Sequence, residues 1–176
     1  MAMVGLFWIT EGSVYVGSPP DAEGQCVRIT SEGVQARGPD GIRAWPWSIL
    51  RSAGVEAVPV GSGARSGGRF LAAVLEAVVA AGALEAVGTL GSSYGGEEPP
   101  QMFLVLETEV GTEEVQVPAA TKGYTSREIA LSQHLLACFR EGTADPRALT
   151  AWGRDHGGGT PKPPEREALL RKWTHA

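Results

Sequence analysis

Ile29-Thr30-Ser31-Glu32-Gly33-Val34-Gln35-Ala36-Arg37, then Gly38-Pro39-Asp40-Gly41, then Ile42-Arg43-Ala44-Trp45-Pro46-Trp47-Ser48-Ile49-Leu50 and on to Val58, is the stretch that decides the fold. It reads as two short strands, a turn at Pro39-Asp40-Gly41, a third strand, a Trp-Ser-Ile corner and another strand. The same texture extends upstream. Leu6 and Trp8 oppose Phe7 and Ile9, Val14 and Val16 alternate after the Glu11-Gly12 turn, and Val27 and Ile29 lead into the quoted stretch. Glycines at 12, 24, 33 and 41 punctuate these runs and supply turn conformations at little steric cost. Residues 52–60 predict a further strand.

Downstream the periodicity changes. After a glycine-rich break at 61–68, Phe70, Leu71, Val74, Leu75, Val78 and Val79 share half of a helical wheel, which predicts a helix over 69–81 between Ser66 and Gly82. Residues 91–100 read as loop. Met102 to Leu106 is a continuous apolar run typical of a covered strand, and Glu113 to Val117 alternates as its hairpin partner. Thr125 and Glu128 form a capping box, and Gly142 closes the helix it opens. Ile129, Leu131, Leu135, Leu136, Cys138 and Phe139 give that helix a stripe broad enough to cover a sheet face. Gly157 to Pro164 is a Gly/Pro linker, with a reach of about 15–20 Å, before a short amphipathic helix at Glu165–Thr174.

The expected fold is therefore α+β and mainly β: an antiparallel β-sandwich or partly open barrel of about seven strands, with a C-terminal capping helix and one inserted helix. Residues 1–142 form the domain, with the insert at 61–100, and 143–176 form a linker and tail.

Composition narrows the function classes. A chain of 176 residues builds a core without disulfide or metal support, and Cys26 and Cys138 match no metal or redox spacing. No basic leader precedes the first strand, and Glu76 and Glu85 interrupt the longest apolar run, so we expect a cytoplasmic chain with no membrane span. Arginine outnumbers lysine and asparagine is absent, a codon bias that points to a GC-rich bacterial genome. The net charge is −5, with the carboxylate excess in the middle of the chain and no stretch basic enough for nucleic acid.

The hairpin Ile29–Arg37, the strand Gly41–Trp45 and the corner Trp47-Ser48-Ile49 resemble bacterial members of the pleckstrin-homology-like superfamily, with their T-x-x-G-φ-x-φ-R hairpin and W-x-x-I corner. The order of strands followed by one capping helix extends the resemblance over roughly 1–140. It implies a non-catalytic platform for peptides, proteins or anionic lipids. In lipid-binding members the head group meets Lys and Arg in the first long hairpin loop. The matching loop here, Gly17–Gly24, carries Asp21 and Glu23 and no basic residue, which argues against an anionic head group.

Other constellations are weaker. Gly61, Gly63, Gly67 and Gly68 stand between a strand and a helix, where backbone N–H groups can cradle a phosphate, but neither a Walker loop nor a dinucleotide fingerprint is complete. His134 and Cys138 have a two-ligand metal spacing without further ligands, so no cofactor or metal is expected. Asp155-His156 and His175 lack a placed nucleophile, and the adjacent pairs Glu97-Glu98 and Glu113-Glu114 read as solvated surface.

The sequence thus points to a bacterial adaptor that recognises a protein or peptide, with a homodimer as one form of it. Its expected docking residues are Leu169, Leu170 and Trp173 of the tail and Phe70, Val74 and Val78 of the inserted helix. The tail has two destinations, back onto its own domain or onto a partner. Phosphate binding at 61–68, and membrane association through Arg166, Arg171 and Lys172, are the alternatives.

Overall fold

In a computed structural model of the chain, residues 1–61, 99–157 and 159–175 are described. Six strands run as an antiparallel meander: β1 (Ala2–Val4), β2 (Phe7–Ile9), β3 (Val14–Val16), β4 (Cys26–Ile29), β5 (Gly33–Gly38) and β6 (Gly41–Pro46). A single 3-10 turn, Trp47–Ile49, makes the corner to a second sheet. That sheet holds β7 (Leu50–Glu56), β8 (Gln101–Thr108) and β9 (Thr112–Pro118), again antiparallel. Three helices follow: α1 (Ser126–Glu141), α2 (Pro146–Asp155) and α3 (Pro163–Thr174). The chain is mainly β, built of two open sheets and not a closed barrel.

The expected strand count rises from about seven to nine among the described residues. One cause lies at Gly5, whose positive φ of 57° turns the chain between Val4 and Phe7 and splits the first segment into a hairpin. The helix expected over 69–81, with Phe70, Val74 and Val78, lies outside the described residues, as do Gly63, Gly67 and Gly68.

Alternation decides what is buried. The rows Ile9–Val14–Ile29–Val34–Trp45 and Val16–Val27–Ala36–Arg43 cross the larger sheet on its inner face. Leu104, Leu106, Val115 and Val117 face them from the smaller sheet. Every apolar member of these rows is buried. The second row ends in a charge, since Arg43 occupies the position that Trp45 holds in the first.

Helix α1 starts as the capping box requires: Thr125 Oγ1 accepts the Glu128 N–H at 3.1 Å, and Glu128 Oε2 accepts the Thr125 N–H at 3.1 Å. Gly142 ends it in the left-handed conformation with φ 71°. The stripe of Leu135, Leu136, Cys138 and Phe139 is buried, with Phe139 edge-on to Phe7 at 6.1 Å.

The tail is not a tether. Residues Pro146–Asp155, expected as connector, form α2, with Asp145 accepting the Arg147 N–H at 2.8 Å as N-cap and Pro146 in the first turn. Helix α3 packs on α1 and β1, burying Leu170 and Trp173. Trp173 meets Trp152 of α2 edge-on at 5.7 Å, and Trp152 stacks on His156 at 4.3 Å.

Candidate binding cleft

Between the end of β3, the start of β4, the end of β5 and the start of β6 on one side and β9 on the other, a cleft of about 450 Å³ opens between the two sheets. One wall is the β3–β4 loop and the β5–β6 turn, contributing Ser18, Asp21, Gln25, Pro39 and Asp40. The other is Gln101 and the consecutive residues Val115 to Pro118 of β9. The loop is ordered by Asp21, whose Oδ1 accepts the N–H groups of Glu23 (3.0 Å) and Gln25 (2.8 Å). Pro39-Asp40 forms a two-residue turn, with Gly38 paired to Gly41.

Arg43 crosses the mouth. Its Nη1 lies 3.3 Å from Glu113 Oε2, and its guanidinium sits 5.1 Å from the Trp45 ring centroid. Both charged side chains are about half exposed, so this inter-sheet pair contributes about 1 kcal/mol or less to stability. Its larger effect is on the field, because Arg43 and Glu113 cancel. Asp21 and Asp40 then share the cleft lining with Arg37. The half-buried Cys26 thiol, opposite Arg37 in the ladder, has its pKa raised first by burial and further by Asp21, against the opposing pull of Arg37 and Arg28.

At the far end, Gly17 adopts φ 73° and a Cβ there would stand 2.3 Å from the Pro118 carbonyl oxygen. Ser18 N–H then donates to that carbonyl at 2.9 Å. The close approach of β3 to the end of β9 depends on glycine at this position.

The expected docking residues of the tail are placed elsewhere. Leu170 is 0 % and Trp173 4 % exposed, both inside this chain's own core, and Leu169 is half-buried against it. The tail docks in cis, which removes Leu170 and Trp173 from any partner surface. The three basic tail residues are placed differently from one another. Arg166 is buried, donating from Nε to Glu128 Oε1 and from Nη1 to the Pro161 carbonyl at 3.2 Å, and Arg171 lies 3.6 Å from Glu167. Arg171 and Lys172 remain exposed, with Arg166 withdrawn from the basic face they would share. Gly61, the one described residue of the four candidate glycines, already donates its N–H to the Tyr124 carbonyl at 3.1 Å.

Of the cleft residues, Arg37 ends the hairpin motif and Pro39-Asp40-Gly41 is its turn, but no motif marked the space they border. Asp21 was visible in the sequence as an acidic loop residue. Arg43 and Glu113, 70 positions apart, are joined only by the packing of the sheets. Among the described residues, no group of three or more His, Cys, Asp or Glu side chains is arranged to hold a metal, and no helix is long and apolar enough to cross a membrane. Comparison with family models, with curated proteins and with solved structures finds no match to this chain.

Proposed function

We propose that this chain is a non-catalytic binding module of pleckstrin-homology-like plan, acting in the cytoplasm, that recognises a protein or peptide partner at the cleft between its two sheets. The observation that carries the reading is the cleft itself: an ordered loop, a tight turn and a strand bound an open space of about 450 Å³ whose Arg43–Glu113 pair is left at the mouth. A preformed cleft with a few fixed polar groups is where a ligand loses least entropy on binding.

Two features support the plan. Strands β3 to β6, then β7 to β9, then α1, follow the strand-then-helix order on which the resemblance rests. The cleft lies at the long β3–β4 hairpin loop, the region that resemblance associates with ligands. The acidic residues of that loop favour a protein ligand over an anionic head group.

A photo-crosslinking amino acid at Asp40, in the exposed turn, is expected to trap the partner in cells. The same amino acid at Glu141, exposed on α1 and away from the cleft lining, should trap none. Equal capture from both positions, or none from position 40, contradicts the reading.

A further inference from the structure

Resting on that reading, we propose that the cleft takes an extended segment of a partner protein as an added strand along β9, with a basic side chain of the segment meeting the cleft carboxylates. Two sheets have four edges, and the four are treated differently. Along β1, Met3 N–H donates to Thr160 Oγ1 at 3.1 Å and α3 packs against the strand. Along β7, the Gln133 side-chain amide accepts the Val55 N–H at 3.0 Å and donates to the Val55 carbonyl at 2.5 Å. Arg140 adds a bond to the Arg51 carbonyl. Helix side chains thus satisfy the β7 edge where another strand would otherwise add.

The β9 edge is different. Ala119 N–H donates to the Pro100 carbonyl and Thr108 N–H to the Gly111 carbonyl, both at 2.8 Å. The register between them is unbroken, from Gln101↔Pro118 to Glu107↔Thr112. Hydrogen-bonded and non-hydrogen-bonded pairs alternate in an antiparallel ladder. Glu113, Val115 and Val117 therefore exchange bonds with β8, while Glu114 and Gln116 turn their N–H and C=O groups the other way. Neither makes another backbone bond among the described residues. The Pro118 carbonyl, next in the outward series, already receives Ser18 N–H at 2.9 Å, so the chain itself makes the first rung on this edge.

Successive strand side chains point to opposite faces, so a space lined by all of Val115 to Pro118 approaches β9 edge-on. Donor and acceptor pairs two residues apart, about 6.8 Å along the strand, match another extended backbone. The β6 edge also presents outward groups, at Ile42 and Ala44, but both side chains stand exposed and neither residue lines the cleft. Charge selects among occupants of β9. With Arg43 held by Glu113, the lining carboxylates of Asp21 and Asp40 outnumber Arg37, which favours Lys or Arg on the added segment. A second copy of this chain would bring its own net charge of −5.

The test is a displayed random heptapeptide library selected on the full chain, followed by synthesis of the retrieved peptides. They are expected to carry a basic residue, to slow amide exchange at Glu114 and Gln116, and to lose about tenfold or more in affinity for Gln116→Pro. That substitution removes an outward N–H and no β8 bond, so the thermal midpoint should hold. Methylating alternate peptide amides tests the same bond without altering the protein: one set of positions should abolish binding and the other leave it. No retrieved peptide, equal binding to Gln116→Pro with the unaltered peptide, or unchanged exchange at Glu114 and Gln116 overturns the proposal. So does concentration-dependent protection of those amides in the free chain, which assigns the edge to a second copy. A partner trapped at position 40 that binds Gln116→Pro normally would leave the binding-module reading standing and remove only the added strand.

Discussion

Glu128 does two jobs with one carboxylate. Oε2 completes the capping box of α1, and Oε1 takes the buried Arg166 of α3, 38 residues later. An ion pair this deep offsets its desolvation only while both partners are present. Arg166→Met should therefore cost about 3–5 kcal/mol, and Glu128→Gln together with Arg166→Met should recover part of that, as read by denaturant unfolding of the single and double variants. Gly5 is a second sensitive position. Its Cβ would stand 2.2 Å from Ser132 Oγ and 2.8 Å from Leu170 Cδ1, at a φ of 57°. Gly5→Ala should cost about 1–3 kcal/mol from the backbone alone, with packing strain added. Asp145 caps α2 and has its carboxyl pKa lowered, chiefly by the Arg147 side chain and then by the Arg147 N–H. A lowered folded-state pKa means a contribution present above the ordinary value of 3.8 and lost as acidification passes through the folded value. Asp145→Ala should cost about 1 kcal/mol at neutral pH and progressively less in acid, measured by unfolding across that range.

At the scale of elements, what was legible in the sequence is what is locally encoded. Helix α1 carries its start, its stop and its buried stripe within 18 residues, from Thr125 to Gly142. The hairpins of β4, β5 and β6 were legible because glycine turns and alternation repeat there at short range. Helix α2 was hidden because its packing face holds a glycine. A Cβ at Gly153 would stand 2.7 Å from the Thr10 carbonyl oxygen, so the residue that reads as a break is the one that lets the helix approach β2. Helix α3 was visible as an amphipathic segment, but its destination depends on Arg166 finding Glu128, which no local pattern encodes. Burying Leu170 and Trp173 contributes about 2–3 kcal/mol each. A chain ending at His156 should therefore lose its cooperative thermal transition, since it also strands Glu128 without its arginine. A sharp transition at the full-length midpoint would show instead that α3 is dispensable.

Across the whole molecule, the helices and the cleft take three of the four sheet edges among the described residues, and β6 is the fourth. Helix α1 satisfies β7, α3 lies against β1, and β9 is left facing the open space between the sheets. None of this was legible beforehand, because which backbone groups face outward depends on register, and which edge is covered depends on helices docking from far along the chain. The mainly β character and the capping helix followed from periodicity, whereas the cleft is a product of assembly. Residue-resolved amide exchange, in the free chain and with a retrieved heptapeptide, tests the central claim most directly. The expected result is rapid exchange at Glu114 and Gln116 beside slow exchange at Val115 and Val117 in the free chain, with protection spreading to Glu114 and Gln116 when the peptide binds. Slow exchange at all four in the free chain, or peptide binding that leaves Glu114 and Gln116 unprotected, would contradict it.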